Sequence, residues 1–438
     1  MENSKVTPRT LTGFMELLPN EQILFNEMKE TIRKSYEEFG FLPLNTPIIE
    51  LSEVLLAKAG GETEKQIYRF NKGDTDLSLR FDLTVPLAKY VAMHYGELSF
   101  PFRRYQIGKV YRGERPQKGR FREFYQCDID IIGDNELNIL HDSEIPMVIY
   151  STFKKLGFDD FTIRINNRKI LNGFFASLNL ADPAEVLRII DRLDKIGMEE
   201  VKNCLAEMGV SSDAINKIVE FISISGSSDE KLANLKTLNI ENEIFSTGTQ
   251  ELEAVINGIR LFGIPESNFT VDLTIARGLD YYTGTVYETF LNDYRQLGSV
   301  CSGGRYENLA EFYTDKKLPG VGISIGLTRL FYKLNELNAI KFSRESIAKV
   351  LVVSASSDIA PCLPIATAFR SAGINTELYL NDKKMKAKFK YADKLNIPFV
   401  VAIGEDEIAN NTVSLKNMKT GEQLQISIEE AIDIVNKF

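Results

Sequence analysis

A chain of 438 residues with 44% hydrophobic side chains has material for two or three domains, each with its own core. A formal net charge of −9, from 52 Lys and Arg against 61 Asp and Glu, excludes a protein that coats nucleic acid with a uniformly basic surface. No apolar run is long enough to cross a bilayer, the polar start over residues 1–10 argues against export, and four scattered cysteines point to a reducing compartment without a disulfide framework or zinc site. Two histidines, His94 and His141, leave almost nothing for a histidine triad or a histidine-rich metal centre, so any chemistry falls to arginines, carboxylates and an added metal ion.

Residues 20–39 read as an amphipathic helix: Phe25, Met28, Ile32, Tyr36 and Phe39 recur every three or four positions, and Gly40 stops it. An extended segment, 41–49, carries Pro43 and Pro47. Residues 67–70 and 77–81 form a predicted hairpin. Arg80-Phe81-Asp82-Leu83-Thr84-Val85-Pro86 then opens a helix running to Tyr95, with Thr84 a candidate N-cap. Next come two predicted antiparallel strands, 105–114 and 124–133, around the basic loop Arg115-Pro116-Gln117-Lys118-Gly119-Arg120. In the second strand Tyr125, Cys127, Ile129 and Ile131 take one face and Phe124, Gln126, Asp128 and Asp130 the other; in the first, Arg112 and Glu114 share a face. The polar face suits a small zwitterion beside a polyphosphate. Arg112 forks onto phosphate, Phe124 stacks on a purine, and Gln126 and Asp130 hold an amine or an imidazole N–H. An ordinary polar sheet face is the alternative.

The chain then turns helical to 153 and gives a strand at 161–166; from about 168 to 265 helical patterns replace strands. Asp182-Pro183-Ala184-Glu185 is a helix start with an N-cap, proline at the first position and an acid at the third. Strand character returns at 269–274. It leads into Ile275-Ala276-Arg277-Gly278-Leu279-Asp280-Tyr281-Tyr282, where Arg277 offers a second guanidinium and the two tyrosines phenol donors. Ser302-Gly303-Gly304-Arg305-Tyr306 lets backbone approach a ligand closely, and 319–330 reads as a strand running into a helix that carries Arg329. After a polar linker at 335–346, strands at 349–355, 374–380, 398–403, 412–416 and 423–427 alternate with helices as a compact α/β domain. One of its helices carries Lys383, Lys384, Lys386, Lys388 and Lys390, facing either RNA or solvent.

Arg112-x-Glu114, the basic loop and Arg120-Phe121-Arg122-Glu123-Phe124 resemble motif 2 of class II aminoacyl-tRNA synthetases, in wording similar to the histidyl branch. Arg-Gly-Leu-Asp-Tyr-Tyr from Arg277 resembles the signature peptide of histidyl-tRNA synthetases. Residues 20–49 resemble motif 1, the family's dimer interface; 319–330 resemble motif 3; the closing domain resembles the anticodon-binding domain shared with the glycyl, threonyl and prolyl enzymes. The resemblance implies an α+β fold: a class II antiparallel-sheet catalytic domain (1–167 and 268–336), a helical insertion (168–267), a linker (337–346) and a mixed α/β anticodon-binding domain (347–438).

The same resemblance implies a cytoplasmic homodimer, with no membrane association, that activates histidine with ATP and Mg2+ and transfers it to histidine tRNA. In its site Arg112 and Arg277 would act catalytically on the α-phosphate, and Arg120 and Arg329 would hold the β/γ end. Phe124 would stack on adenine and Glu114 contact the adenosine. Asp82, Thr84 and Gln126 would fix the substrate's amino group, while Asp130 and Tyr282, with Tyr281 nearby, would read its imidazole. Residues 8–19 match only loosely the Lys-Gly-Thr-x-Asp-x-x-Pro usual in the family, which leaves the tRNA identity rules open. Two rivals remain: the histidine-binding regulatory paralogue of ATP phosphoribosyltransferase, and a free-standing adenylate-forming module. The terminal domain and full arginine set weigh against the paralogue.

Overall fold

The computed structural model describes residues 5–57, 62–115, 119–180, 182–190, 192–275, 282–307, 310–340 and 346–438. They form two compact units, Met1–Glu16 with Met28–Ala339 and Leu17–Glu27 with Ile340–Phe438.

The strands of the first unit are Leu42–Pro43 (β1), Ile49–Leu51 (β2), Arg69–Lys72 (β3), Thr75–Leu79 (β4), Phe102–Tyr111 (β5), Glu123–Ile132 (β6), Phe161–Asn167 (β7), Phe269–Val271 (β8), Thr285–Leu291 (β9), Cys301–Tyr306 (β10) and Gly320–Ile325 (β11). The large sheet runs β1-β5-β6-β11-β10-β9-β7-β8, and a small sheet runs β2-β4-β3. In the large sheet the two edge pairs, β1 with β5 and β7 with β8, are parallel; the inner pairs are antiparallel. The period-two pattern of β6 decides which face is core. Cys127, Ile129 and Ile131 are fully buried on the back. There the helix Pro19–Glu38 presents Ile32 and Tyr36, and the Tyr36 hydroxyl donates to the Cys127 carbonyl at 3.0 Å. Each such large apolar side chain contributes about 1.5–3 kcal/mol on burial.

A buried ion pair ties the helix Leu140–Lys155 to β10. Arg305 meets Asp142 at 2.6 Å, Thr285 donates its hydroxyl to the same carboxylate at 2.6 Å, and Tyr287 donates to the Asp142 carbonyl at 2.7 Å. From Arg168 to Leu261 the described chain is helical. The last of these helices, Glu243–Leu261, is anchored on β7 and the helix Leu140–Lys155 by Asn167 Nδ2 to Glu251 at 2.8 Å and Ser143 Oγ to the Val255 carbonyl at 3.1 Å. The predicted start at Asp182 holds, with the Glu185 N–H donating to the Asp182 carboxylate at 3.0 Å.

The second unit carries Val350–Ser354 (β12), Thr376–Leu378 (β13), Phe399–Ile403 (β14), Val413–Asn417 (β15) and Gln423–Ile426 (β16) in the order β13-β12-β14-β15-β16. β12 is parallel to both neighbours, and β14, β15 and β16 are antiparallel.

The extended segment 41–49 pairs as strand at Leu42–Pro43 and again from Ile49, where β2 begins. Three local expectations change. β5 ends at Tyr111, before Arg112 and Glu114, because the Gly113 N–H donates to the Gln66 carbonyl at 2.7 Å and leaves the ladder. Thr84 is the first residue of the helix Thr84–Met93 and not its cap; the Asp82 carboxylate accepts from the Thr84 and Val85 N–H groups at 3.1 and 2.9 Å. Lys388 faces neither RNA nor solvent: it is 2% exposed and donates to the Ser354 carbonyl at 2.7 Å, while Lys383, Lys384, Lys386 and Lys390 are exposed.

Candidate functional site

The front face of the large sheet is organised in transverse rows, because residues paired across strands share a face. One row runs Arg104–Asp130–Gly322–Gly304 across β5, β6, β11 and β10. The next runs Gln106–Asp128–Ser324–Ser302, and the third begins with Gly108–Gln126. The two glycines of the first row make room. A Cβ on Gly322 would sit 2.3 Å from the Asp130 carboxylate, and one on Gly304 would sit 2.9 Å from the Tyr282 ring. Asp130 and Tyr282 therefore lie over a lane without side chains.

Beyond the row of Gln126 the sheet opens into a cleft of about 540 Å³. Six of the residues singled out from the sequence line it together: Arg112, Glu114, Arg120, Phe124, Gln126 and Arg329. The Arg112 guanidinium lies 4.4 Å from the centre of the Phe81 ring and 5.1 Å from that of Phe124, and its Nε donates to the Phe81 carbonyl at 3.2 Å. Burial works against its charge, and the carboxylates of Asp82 and Glu114 work for it. Arg120 pairs with Glu114 at 3.1 Å and is 63% exposed, and Arg329 donates to the Leu297 carbonyl. An exposed pair such as Arg120–Glu114 is worth about 0–1 kcal/mol, so a polyphosphate readily displaces it. Three cationic side chains, an aromatic ring and an amide lining one cleft suit a nucleotide placed against a small polar substrate. Arg277 and Tyr281 lie outside the described residues.

The histidyl-tRNA synthetase family model matches residues 13–330, and an anticodon-binding-domain model matches 349–438. A histidine–tRNA ligase of Clostridium tetani is 60% identical over 436 residues, covering 99% of each chain. Another, of Finegoldia magna, is 46% identical over 428 residues, covering 98% of this chain and 99% of that one. The chain belongs to the histidyl-tRNA synthetase family. The crystal structure of histidyl-tRNA synthetase from Nostoc sp. PCC 7120 has the same fold, with a TM-score of 0.91 at 43% identity over 99% of this chain and 100% of that one. The fold is that of a class II synthetase: a large, mainly antiparallel sheet with helices, followed by an anticodon-binding domain with a mixed sheet of its own.

Beside the cleft of this synthetase-family chain, three carboxylates lie close together. Asp130 binds Arg104 through Oδ2 at 2.6 Å and accepts from the Tyr306 hydroxyl through Oδ1 at 2.9 Å. Asp82 stands at the start of the helix Thr84–Met93, as described. Asp128 sits between the rows of Asp130 and Gln126. Burial pushes Asp128 up to about 7 and Asp130 up to about 6, with Arg104 pulling both back down, and burial likewise raises Asp82. Burial, then the charges of Asp130, Asp128 and Asp82, drives the Tyr282 hydroxyl far up, so it is a donor at neutral pH.

These shifts set the sign of a pH effect. Between about pH 4, where free carboxyls titrate, and about pH 7, Asp128 and Asp130 hold more protons in the native state than in the unfolded chain, so their contribution to stability falls as pH rises through that window. The ligand-free protein is expected to melt at a higher temperature at pH 6 than at pH 8, and Asp128→Asn to shrink that difference. Differential scanning calorimetry checks it; a ligand-free protein that melts higher at pH 8 contradicts it. The sequence pattern alone does not single out Arg104 or Ser324. The signal that identifies both is cross-strand register with Asp130 and Asp128, which needs the strand pairing.

Proposed function

We infer that the chain is a histidine–tRNA ligase, acting in the cytoplasm as a homodimer. Histidine's carboxylate attacks the α-phosphorus of ATP; the bond to the bridging oxygen breaks, and pyrophosphate leaves with its electron pair. The terminal ribose hydroxyl of the tRNA then attacks the acyl carbon and releases AMP. The convergence of Arg112, Glu114, Arg120, Phe124, Gln126 and Arg329 on one cleft, beside buried carboxylates, carries this reading. The regulatory reading is not favoured, because relatives matched over 98–99% of this chain are ligases.

The first step brings one anion onto another, so alignment and fixed positive charge lower its barrier, and no protein nucleophile is needed. Arg112 and Arg277 hold the α-phosphate, and Arg120 and Arg329 the β/γ end. Phe124 stacks on adenine, and Glu114 contacts the adenosine. Asp82, Thr84 and Gln126 receive the amino group; Asp130, Tyr281 and Tyr282 read the imidazole. Asp130 comes to this task already braced by Arg104 and Tyr306, which fixes its oxygens in place. A substrate without ring N–H groups leaves polar atoms of the pocket unpaired, and sites of that kind discriminate by about 10⁴–10⁵.

Mg2+ enters with ATP. Among the described residues no cluster of three or more His, Cys, Asp or Glu makes a metal cage, and Glu114 is a carboxylate of the cleft. Glu114 would hold an ion whose other ligands are phosphate oxygens and water, and the ion would offset charge on the pyrophosphate. The homodimer is supported by apolar side chains on β1, on the small sheet and just before it: Leu42, Ile48, Ile49, Leu51 and Phe70 are 39–58% exposed. The cytoplasmic assignment follows from where a tRNA substrate is found. Histidine-dependent exchange of pyrophosphate into ATP tests the first step: exchange with histidine alone among the amino acids is expected, and its absence contradicts the reading.

A further inference from the structure

We propose that Asp128 is a substrate-binding residue, a second carboxylate that joins Asp82 and Gln126 in receiving the α-ammonium of bound histidine. This rests on the reading of the chain as a histidine–tRNA ligase and deepens it.

The three buried carboxylates differ in what they have left to give. Both oxygens of Asp130 are engaged, by Arg104 at 2.6 Å and by Tyr306 at 2.9 Å. Oδ1 of Asp82 takes two backbone N–H groups of its own turn. Asp128 is 3% exposed, and the Ser324 side chain favours its charged form, but among the described residues its Oδ1 has no hydrogen-bond partner. Among the described residues the same holds for Oε1 of Gln126. The two residues stand on the same face of β6, their Cα atoms about 7 Å apart along the strand.

Ser324 lies beside both. It is the cross-strand neighbour of Asp128, and its Oγ accepts from Gln126 Nε2 at 2.7 Å. The amide nitrogen is thereby fixed on Ser324, which leaves the amide oxygen to face away from it. The charged or titratable groups around Asp128 include Arg104 of β5, Asp130 and Cys127 of β6, Cys301 of β10, Asp82 before the helix Thr84–Met93, Tyr36, Arg80, Arg112 and Tyr282. Arg104 is bound to Asp130, and Arg80 donates to the carbonyls of Lys109 and Thr46 at 2.7 Å.

A buried polar atom without a partner is costly. Two adjacent orphan acceptors, one of them a carboxylate, call for a cation with several N–H donors. A primary ammonium has three, tetrahedrally disposed. An imidazole offers N–H groups only in its ring plane, at opposite edges. The orphan pair thus selects the amino end of the substrate over its ring. Burial, which holds Asp128 near neutrality in the free protein, agrees with a carboxylate whose counter-charge arrives with the ligand.

The test compares two ligands on the full chain and on Asp128→Asn: histidine, and 3-(imidazol-4-yl)propionate, which keeps ring and carboxylate but lacks the amine. KM and kcat for histidine come from ATP–pyrophosphate exchange, and the inhibition constant of the propionate from competition in the same assay. Asp128→Asn is expected to raise the histidine KM by about 10–100-fold, the effect of losing a hydrogen bond to a charged group, with kcat within a few-fold. The propionate constant is expected to stay within about twofold. Asp128→Ala should show the same split, and both variants should melt no lower than the unaltered protein at pH 8. Equal weakening of both ligands, or an unchanged histidine KM, overturns the proposal. If the unaltered chain shows no histidine-dependent exchange, the ligase reading itself fails; exchange with a neutral Asp128→Asn sinks only this inference.

Discussion

Arg112→Ala is expected to slow histidine-dependent ATP–pyrophosphate exchange by about 10²–10³-fold, the cost of removing one preorganised charge-stabilising donor group. The guanidinium is held before any substrate arrives. Phe81 and Phe124 lie at 4.4 and 5.1 Å from it, and its Nε is fixed on the Phe81 carbonyl. A cation fixed in this way needs no reorganisation as negative charge builds on the α-phosphate, so its loss should appear in kcat more than in the histidine KM. Arg112→Lys keeps the charge but loses the planar fork and the stacking, and should recover only part of the rate. Near-normal exchange in Arg112→Ala contradicts the role. Arg277→Ala carries an expectation of the same size; Arg277 lies outside the described residues, and its assignment rests on the signature peptide.

Arg305→Ala is expected to destabilise the first unit by about 3–5 kcal/mol, the cost of stranding one member of a buried ion pair. Asp142 is fully buried, and Arg305 is 7% exposed. Without the guanidinium, the carboxylate keeps Thr285 as a partner but loses its counter-charge. The pair joins the helix Leu140–Lys155 to β10, the strand whose Gly304 forms part of the glycine lane under Asp130 and Tyr282. Activity should therefore fall with stability, while the histidine KM of whatever remains folded stays unchanged. Urea unfolding gives the measurement. A loss below about 1 kcal/mol would show that the pair contributes no more than an exposed one.

The central hairpin was legible because its residues alternate. Period two placed Gln126, Asp128 and Asp130 on one face of β6, with Cys127, Ile129 and Ile131 in the core behind. The same alternation failed four residues before the loop. Nothing local says that the N–H of Gly113 will turn to Gln66, so Arg112 and Glu114 looked like strand residues. Their side chains still reach the cleft, from an extended segment and not a ladder. Asp82 and Thr84 show a similar limit: either could cap a helix, and only the hydrogen bonds show that Asp82 does so. Lys388 looked like its neighbours in a basic helix, but the helix turns it inward to the Ser354 carbonyl.

The harder distinction was between Asp128 and Asp130. Both are buried carboxylates on one face, and sequence pattern treats them alike. They differ through β5 and the Tyr306 hydroxyl: Arg104 pairs with Asp130 in register, and Gln106 lies opposite Asp128. The residue that resemblance assigns to the imidazole is thus braced by protein partners, and its neighbour keeps the open oxygen. Which carboxylate is available to a ligand depends on residues more than twenty positions away in the chain.

The measurement that bears most directly on the account is aminoacylation itself. Purified protein is incubated with ATP, Mg2+ and labelled histidine, with histidine tRNA in one reaction and a non-cognate tRNA in another. The account predicts acid-precipitable histidine on the cognate tRNA alone, dependent on ATP and abolished to within the limit of detection by Arg112→Ala. Histidine-dependent pyrophosphate exchange with no transfer to any tRNA would contradict it.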